Sequence, residues 1–277
     1  MNQKKVAVLI PTYRPDTYLD RCLEALEQQT LDKSEYTVYV CLNGEEKPYR
    51  EKIESWLASK SFQSVLLYSH KASVSAARNM LLEHFQEELL AFIDDDDVVS
   101  QNYLKNLRDV TDHNAMGISD IRSFKSSPDK SYIHPFSQVF KSISSEETSF
   151  LKARNFFSSP CGKMLSREMV GDIRFDETLK NGEDSLFMTM ISNSIQKVKK
   201  AEEGTIYYIY ERENSASRRK RGIRDRVQVC CYLYGKYIKL LGKKGYDTVF
   251  ILSRFIVTMS TLIPEKSILR PSQWKKS

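Results

Sequence analysis

The chain of 277 residues lacks a glycine-rich phosphate loop. Its ten glycines form neither a G-x-G-x-x-G run nor a Walker A pattern, which argues against an ordinary NAD or ATP site. Long apolar runs are missing too. No stretch of about 18 uncharged apolar residues occurs, so no transmembrane helix is expected. Val6 to Ile10 is too short for the apolar part of a signal peptide, and Pro11 follows at once, so no secretory leader is expected either. The five cysteines (Cys22, Cys41, Cys161, Cys230 and Cys231) are odd in number and have no metal-type spacing. That fits a reducing, cytoplasmic setting better than a disulfide framework.

What is present begins with an apolar content of 41%, enough for a real core, in a length that suits one large α/β domain or a domain with an appendage. Charge is unevenly spread. Residues 197–277 carry 19 Lys and Arg against 7 Asp and Glu, a net +12 within a total of +6, so the rest of the chain is net −6. An anionic membrane surface, a phosphate-bearing substrate or nucleic acid are the candidate counterparts of the basic part. The most informative stretch is Leu89-Leu90-Ala91-Phe92-Ile93 running straight into Asp94-Asp95-Asp96-Asp97. The apolar run reads as a buried strand, and the carboxylates fall at its C-terminal end, where open α/β sheets bind ligands. Four adjacent negative charges repel, and hard oxygen donors at this spacing suit Mg²⁺ or Mn²⁺ shared with substrate phosphates. A solvated acidic turn capping the next helix is the alternative.

In order, Lys5 to Ile10 reads as a first strand stopped by Pro11. A helix follows with Leu19, Cys22, Leu23 and Leu26 on one face and Asp16 as its cap. Tyr36 to Leu42 is a second strand closed by Asn43-Gly44, then come a helix over about 48–58 and a third strand from Ser64 to Tyr68. Ser73 or Ser75 caps a helix carrying Ala76, Ala77, Met80, Leu81 and Phe85, and Leu89 to Ile93 is the fourth strand. This alternation predicts a mostly parallel sheet flanked by helices, an α/β fold. Right-handed crossovers then gather Pro11–Tyr13, Asn43–Gly44 and Asp94–Asp97 at one edge.

Val-Ala-Val-Leu-Ile-Pro-Thr-Tyr at 6–13, Ser-Ala-Ala-Arg-Asn at 75–79 and Phe-Ile-Asp-Asp-Asp-Asp at 92–97 resemble the nucleotide-sugar domain of family 2 glycosyltransferases, which have the Rossmann-like GT-A fold. The resemblance covers about residues 4–110. It implies that Pro11, Thr12 and Tyr13 sit against the uridine of a UDP-sugar, and that Arg78 lies near the base or diphosphate. From its residues alone, Arg78 also reads as a helix-surface residue in a salt bridge. The aspartates resemble the family's D-x-D motif, with Asp96 and Asp94 as metal ligands for Mn²⁺ or Mg²⁺ and Asp95 beside the ribose. One departure stands out. The family's aspartate-rich turn after the second strand is Leu42-Asn43-Gly44-Glu45 here, so Asn43 is left to read the pyrimidine edge as donor and acceptor.

Further on, Ser100 caps a helix through Tyr103, Leu104, Leu107 and Val110, and Ile118 to Phe124 reads as a strand. Residues 126–149 read as a long excursion, either beside the acceptor site or a plain surface loop. Glu183-Asp184 opens a helix with Leu186, Phe187, Met190 and Ile191. Acidic residues there serve as ordinary caps, but the pair also resembles the family's "ED" motif, which implies Asp184 as general base with Glu183 beside it. Cys161 reads as a buried structural thiol. After a strand at Tyr207 to Glu211, the loop holding Arg212 and Arg218 resembles those that close over a donor diphosphate; a solvated basic linker is the alternative. Helices at Val227–Leu241 and Val249–Ile263, the second interrupted by Arg254, either lie on an anionic leaflet, pack on the catalytic domain or form a homodimer contact. Trp274 near the basic end favours an interface anchor.

The reading is a GT-A catalytic domain over 1–215 (1–110 for the nucleotide sugar, 111–215 for the acceptor) and a basic helical extension over 216–277. Its expected activity is metal-dependent inverting transfer from a nucleotide sugar to a glycan or lipid-linked hydroxyl, in the cytoplasm or on the membrane's inner face. A nucleotidyltransferase of related fold would usually show a glycine-rich basic loop near the first strand, which is missing. A non-catalytic membrane or nucleic-acid binder leaves Asp94–Asp97 unexplained, and aromatic-sheet RNA motifs are absent, so no nucleic-acid partner is expected.

Overall fold

The computed structural model describes residues 4–212 and 222–262. Its first part alternates β1 (Val6–Thr12), α1 (Thr17–Glu27), β2 (Tyr36–Asn43), α2 (Tyr49–Ala58), β3 (Gln63–Ser69), α3 (Val74–His84) and β4 (Leu89–Phe92). These four strands run parallel in the order β3-β2-β1-β4. Every residue of β1, β2 and β4 is buried, as near-continuous apolar strands covered on both faces must be. Helix α1 turns Leu19, Cys22, Leu23 and Leu26 inward, and the Asp16 carboxylate accepts from the Thr17 amide at its start. Ser73 caps α3 by accepting from the Ala76 amide.

The chain continues through β5 (Val98–Val99), α4 (Tyr103–Val110), β6 (Ala115–Ile118), β7 (Asp120–Phe124), β8 (Tyr132–Ile133), α5 (Pro135–Ser142), β9 (Glu146–Glu147), α6 (Phe150–Ala153), β10 (Lys163–Ser166), α7 (Arg167–Val170), α8 (Glu183–Ile191), β11 (Lys197–Lys200), β12 (Ile206–Tyr210), α9 (Ile223–Ile238) and α10 (Thr248–Ser260). Strands β10, β6, β11 and β9 extend the large sheet beyond β4, and β5-β12-β7-β8 form a second, smaller sheet. Only β10 and β9 enter the large sheet antiparallel. The result is the expected mostly parallel α/β architecture.

Four local expectations change. Strand β1 does not stop at Pro11 but runs through it to Thr12. The Leu9 carbonyl still accepts from the Ile93 amide on the β4 side, but pairing with β4 ends there. Pro11 lies on that same side two residues on, so its missing N–H leaves no ladder partner unpaired. The strand expected at 118–124 is two strands that part at Ser119, whose amide and hydroxyl both donate to the Gly162 carbonyl. Residues 126–149 are not a bare loop: α5 sits there and delivers Phe140 to the core. Helix α4 also starts later than expected. Ser100 accepts the Tyr103 amide through its carbonyl and the Ile206 amide through its hydroxyl, tying α4 to β12.

The C-terminal helices pack on this body. Leu233 and Tyr237 of α9 and Phe250 and Ile251 of α10 are buried in the main core. Among the described residues no helix is long and apolar enough to cross a membrane.

Candidate active site

Parallel register brings the C-terminal ends of β1, β2 and β4 to one edge, where Thr12 stands beside Leu42. Three side chains knit the floor of this edge. The Asn43 amide nitrogen donates to the Thr12 carbonyl at 2.7 Å. The Thr12 hydroxyl donates to Asp95 at 2.5 Å. Asn43 is only 2% exposed, so one of its amide hydrogens is committed inside the fold. Asp95 is likewise buried, and burial pushes its pKa up to about 7 against the Thr12 hydrogen bond. Above the floor, the Tyr13 ring is 47% exposed. Gly44, at φ +90, leaves room for it: a Cβ there would lie 2.8 Å from the ring.

The carboxylates after β4 are each held differently. The Asp94 amide donates to the Tyr207 hydroxyl at 3.0 Å, and the Tyr210 amide donates to Asp97 at 2.8 Å, so β12 fixes the turn from behind. Arg21 donates to the Asp96 carbonyl at 3.0 Å while stacking on the Tyr210 ring. The Asp96 carboxylate pairs with Arg212 at 2.6 Å, and Arg212 in turn lies over the Tyr18 ring. Burial raises the pKa of Asp96 and Asp97, and the Asp94 charge adds to both.

Arg78 joins this turn to the second acidic pair. It is 3% exposed and lies against the Phe175 ring. One guanidinium nitrogen donates to Asp94 at 3.0 Å and the other to Asp184. Burial works against its charge, but Asp184 and Asp94 outweigh that and hold it firmly protonated. Asp184 sits in the first turn of α8, which starts from Gly182 at φ +80. Burial and Asp94 raise its pKa, whereas Arg78 and Lys163 oppose the shift. Glu183, beside it, is buried.

The structure therefore gathers Thr12, Tyr13, Asn43, Arg78, Asp94, Asp95, Asp96, Asp184 and Arg212 at one edge, with Pro11 buried in β1 below. Arg78 bonds two carboxylates, and Asp95 points into the floor. Arg218 and Trp274 lie outside the described residues. Cys161 is buried, and burial raises its thiol well above the ordinary range, so it is a poor nucleophile. Sequence reasoning missed Lys163, Tyr207 and Arg21. Lys163 is 2% exposed, donates to the Cys161 carbonyl at 2.7 Å and is brought down to about 8 by burial. A lone charge in an otherwise apolar strand was its one signal; Tyr207 and Arg21 had none.

The donor set suits a hard divalent ion. Such ions take one or two carboxylates and complete their shell with water and phosphate oxygens rather than an all-protein cage. Asp94 and Asp96 offer that number, and among the described residues no cage of three or more His, Cys, Asp or Glu is set up.

A sequence model described as Glycosyl transferase family 2 matches residues 7–174. The minor teichoic acid biosynthesis protein GgaB of Bacillus subtilis is 23% identical over 225 residues, 78% of this chain and 25% of that protein. The poly(ribitol-phosphate) beta-N-acetylglucosaminyltransferase TarS of Staphylococcus aureus is 27% identical over 214 residues, 76% of this chain and 36% of that one. The chain thus spans well under half the length of either relative. The crystal structure of S. aureus TarS 1–349 in complex with UDP-GlcNAc matches with a TM-score of 0.74 at 20% identity, covering 93% of this chain and 73% of that one. The sheet and its helices define a GT-A fold. Within that class, the chain belongs to glycosyl transferase family 2.

Proposed function

We propose that the protein transfers a sugar, with inversion, from a nucleoside-diphosphate donor, preferably a UDP-sugar, to a hydroxyl of a glycan or lipid-linked acceptor. The observation that carries this reading is the Arg78 bridge. It sets carboxylates at the donor edge of the sheet and a carboxylate at the head of α8 within the span of one guanidinium. A substrate clamped between them has phosphate-binding chemistry on one side and a proton acceptor on the other. The TarS relative is a glycosyltransferase by name, and its structural form holds UDP-GlcNAc.

In this mechanism Tyr13 lies against the nucleobase, and Asn43 offers its remaining hydrogen-bonding capacity to the base edge. Arg212 stands at Asp96, where its planar fork is placed to take two phosphate oxygens. A divalent ion held by Asp94 and Asp96 would supply positive charge to the departing diphosphate. Asp184 accepts the acceptor hydroxyl's proton as that oxygen attacks the anomeric carbon from the face opposite the diphosphate. Glu183 supports the turn. The transition state is oxocarbenium-like, by analogy with glycosidases. A panel of UDP, GDP, CMP and ADP, each with Mn²⁺ or EDTA, tests the donor site by thermal shift. We expect a Mn²⁺-dependent rise in Tm with one nucleotide, UDP by preference, because a ligand that binds only the native state stabilises it. No shift with any nucleotide in a folded sample rejects the reading.

A second feature favours action at the inner membrane face. Ile223, Val227 and Ile238 on α9 and Val249, Leu252, Ile256 and Met259 on α10 are exposed. Basic residues flank them, the composition of an interfacial helix pair.

A further inference from the structure

General-base chemistry depends on where Asp184 is held, because small misplacements of a reacting group are costly in rate. Helix α8, which carries Asp184, has no side-chain cap of its own. Besides Arg78 at Asp184 and Lys71 and Asn79 at Glu177, the segment from Asp176 to Ser185 is gripped at three points by the C-terminal helices. The Tyr232 hydroxyl donates to Asp176 at 2.7 Å, and Lys236 pairs with it at 2.9 Å. Leu233 lies so close to Gly182 that a Cβ there would come within 2.9 Å of it. At Ser185, next to Asp184, Arg254 donates to the side-chain hydroxyl, and the Tyr237 hydroxyl lies 3.3 Å from the same oxygen.

Arg254 is the only charged residue of α10, and it is 1% exposed. Among the described residues no carboxylate pairs with it. It also meets the Arg154 carbonyl at 3.4 Å, the Tyr237 hydroxyl and the Phe250 ring at 5.9 Å, and burial lowers its pKa. A buried guanidinium without a counter-charge is unfavourable, and an apolar side chain would pack α10 with less penalty. The geometry points to the α9–α10 hairpin as a positioning element of the active site, with Arg254 acting through Ser185 to set Asp184. This rests on the assignment of Asp184 as base.

The test uses the full chain with Arg254→Gln, Arg254→Lys and Ser185→Ala, and Asp184→Asn alongside. Turnover is read as UDP release from UDP-GlcNAc, or from whichever nucleotide sugar stabilises the protein most. Hydrogen exchange of residues 182–187 needs no substrate. We expect Arg254→Gln to lower kcat about tenfold or more, to leave donor KM and UDP affinity within about twofold, and to speed exchange in 182–187 but not in β1–β4. Arg254→Lys keeps the charge and recovers part of kcat. Wild-type kcat and exchange in Arg254→Gln overturn the inference. So does a parallel loss of kcat, UDP affinity and β1–β4 protection, which is general loosening. If Arg254→Gln does not fold, Ser185→Ala decides: kcat falling at constant KM supports the inference, and unchanged kcat overturns it. Wild-type activity in Asp184→Asn sinks the base assignment; an inactive Asp184→Asn beside fully active Arg254→Gln and Ser185→Ala sinks only the positioning role.

Discussion

At Arg78 a single buried guanidinium answers two carboxylates, Asp94 from 16 residues away and Asp184 from 106. Charge pairs this deep are sensitive to losing one partner, because the survivor stays buried and uncompensated. Asp184→Asn keeps an oxygen for Arg78 while removing the proton acceptor, so it separates chemistry from structure. It is expected to lower transfer at least about 100-fold, the usual range for a lost general base, with the melting transition nearly in place. Asp96→Ala removes a charge that Arg212 now balances. It is expected to abolish both transfer and the Mn²⁺-dependent part of nucleotide stabilisation. Near wild-type activity in either folded variant rejects that residue's role.

At the scale of elements, helix α9 is anchored to the body by Asp176 through Tyr232 and Lys236. Burial opposes the charge on Asp176, but hydrogen bonds from Thr178, Lys236 and Tyr232 outweigh it and hold its pKa below the ordinary 3.8. A carboxylate depressed in the folded state contributes stability that is complete above its unfolded value and is lost as pH falls through its folded one. The anchor is therefore intact at neutral pH and weakens only below about pH 4. Asp176→Ala is expected to cost about 2 kcal/mol, the worth of hydrogen bonds to a charged group. Melting curves at pH 7 and pH 3 check this: the gap between variant and wild type narrows on acidification. A gap that stays constant assigns the effect to packing instead.

For the whole molecule, α9 and α10 expose apolar side chains, and residues 197–277 carry a net charge of +12. Exposed apolar side chains in a basic segment fit an anionic leaflet, and the charge part of such binding is screened by salt. The full chain is expected to sediment with anionic vesicles at low salt, far less with neutral ones, and to lose this with Leu252→Glu plus Ile256→Glu. Failure to sediment with anionic vesicles at low salt rejects membrane attachment.

Much of the fold was legible because its signals are local. Continuous apolar runs mark β1, β2 and β4, helical spacing marks α1 and α3, and Asp16 and Ser73 mark helix starts. The sequence by itself determined the parallel sheet and the acidic turn at one sheet edge. Only the tertiary structure decided which polar groups meet: Arg78 with Asp184, Arg212 with Asp96, Arg254 with Ser185, and Asp95 with Thr12. It also split 118–124 between two sheets and folded α5 out of an apparent loop. The physical reason is range. Periodicity and caps act within a few residues of chain, whereas ion pairs across 100 residues exist only once packing has brought distant backbone together.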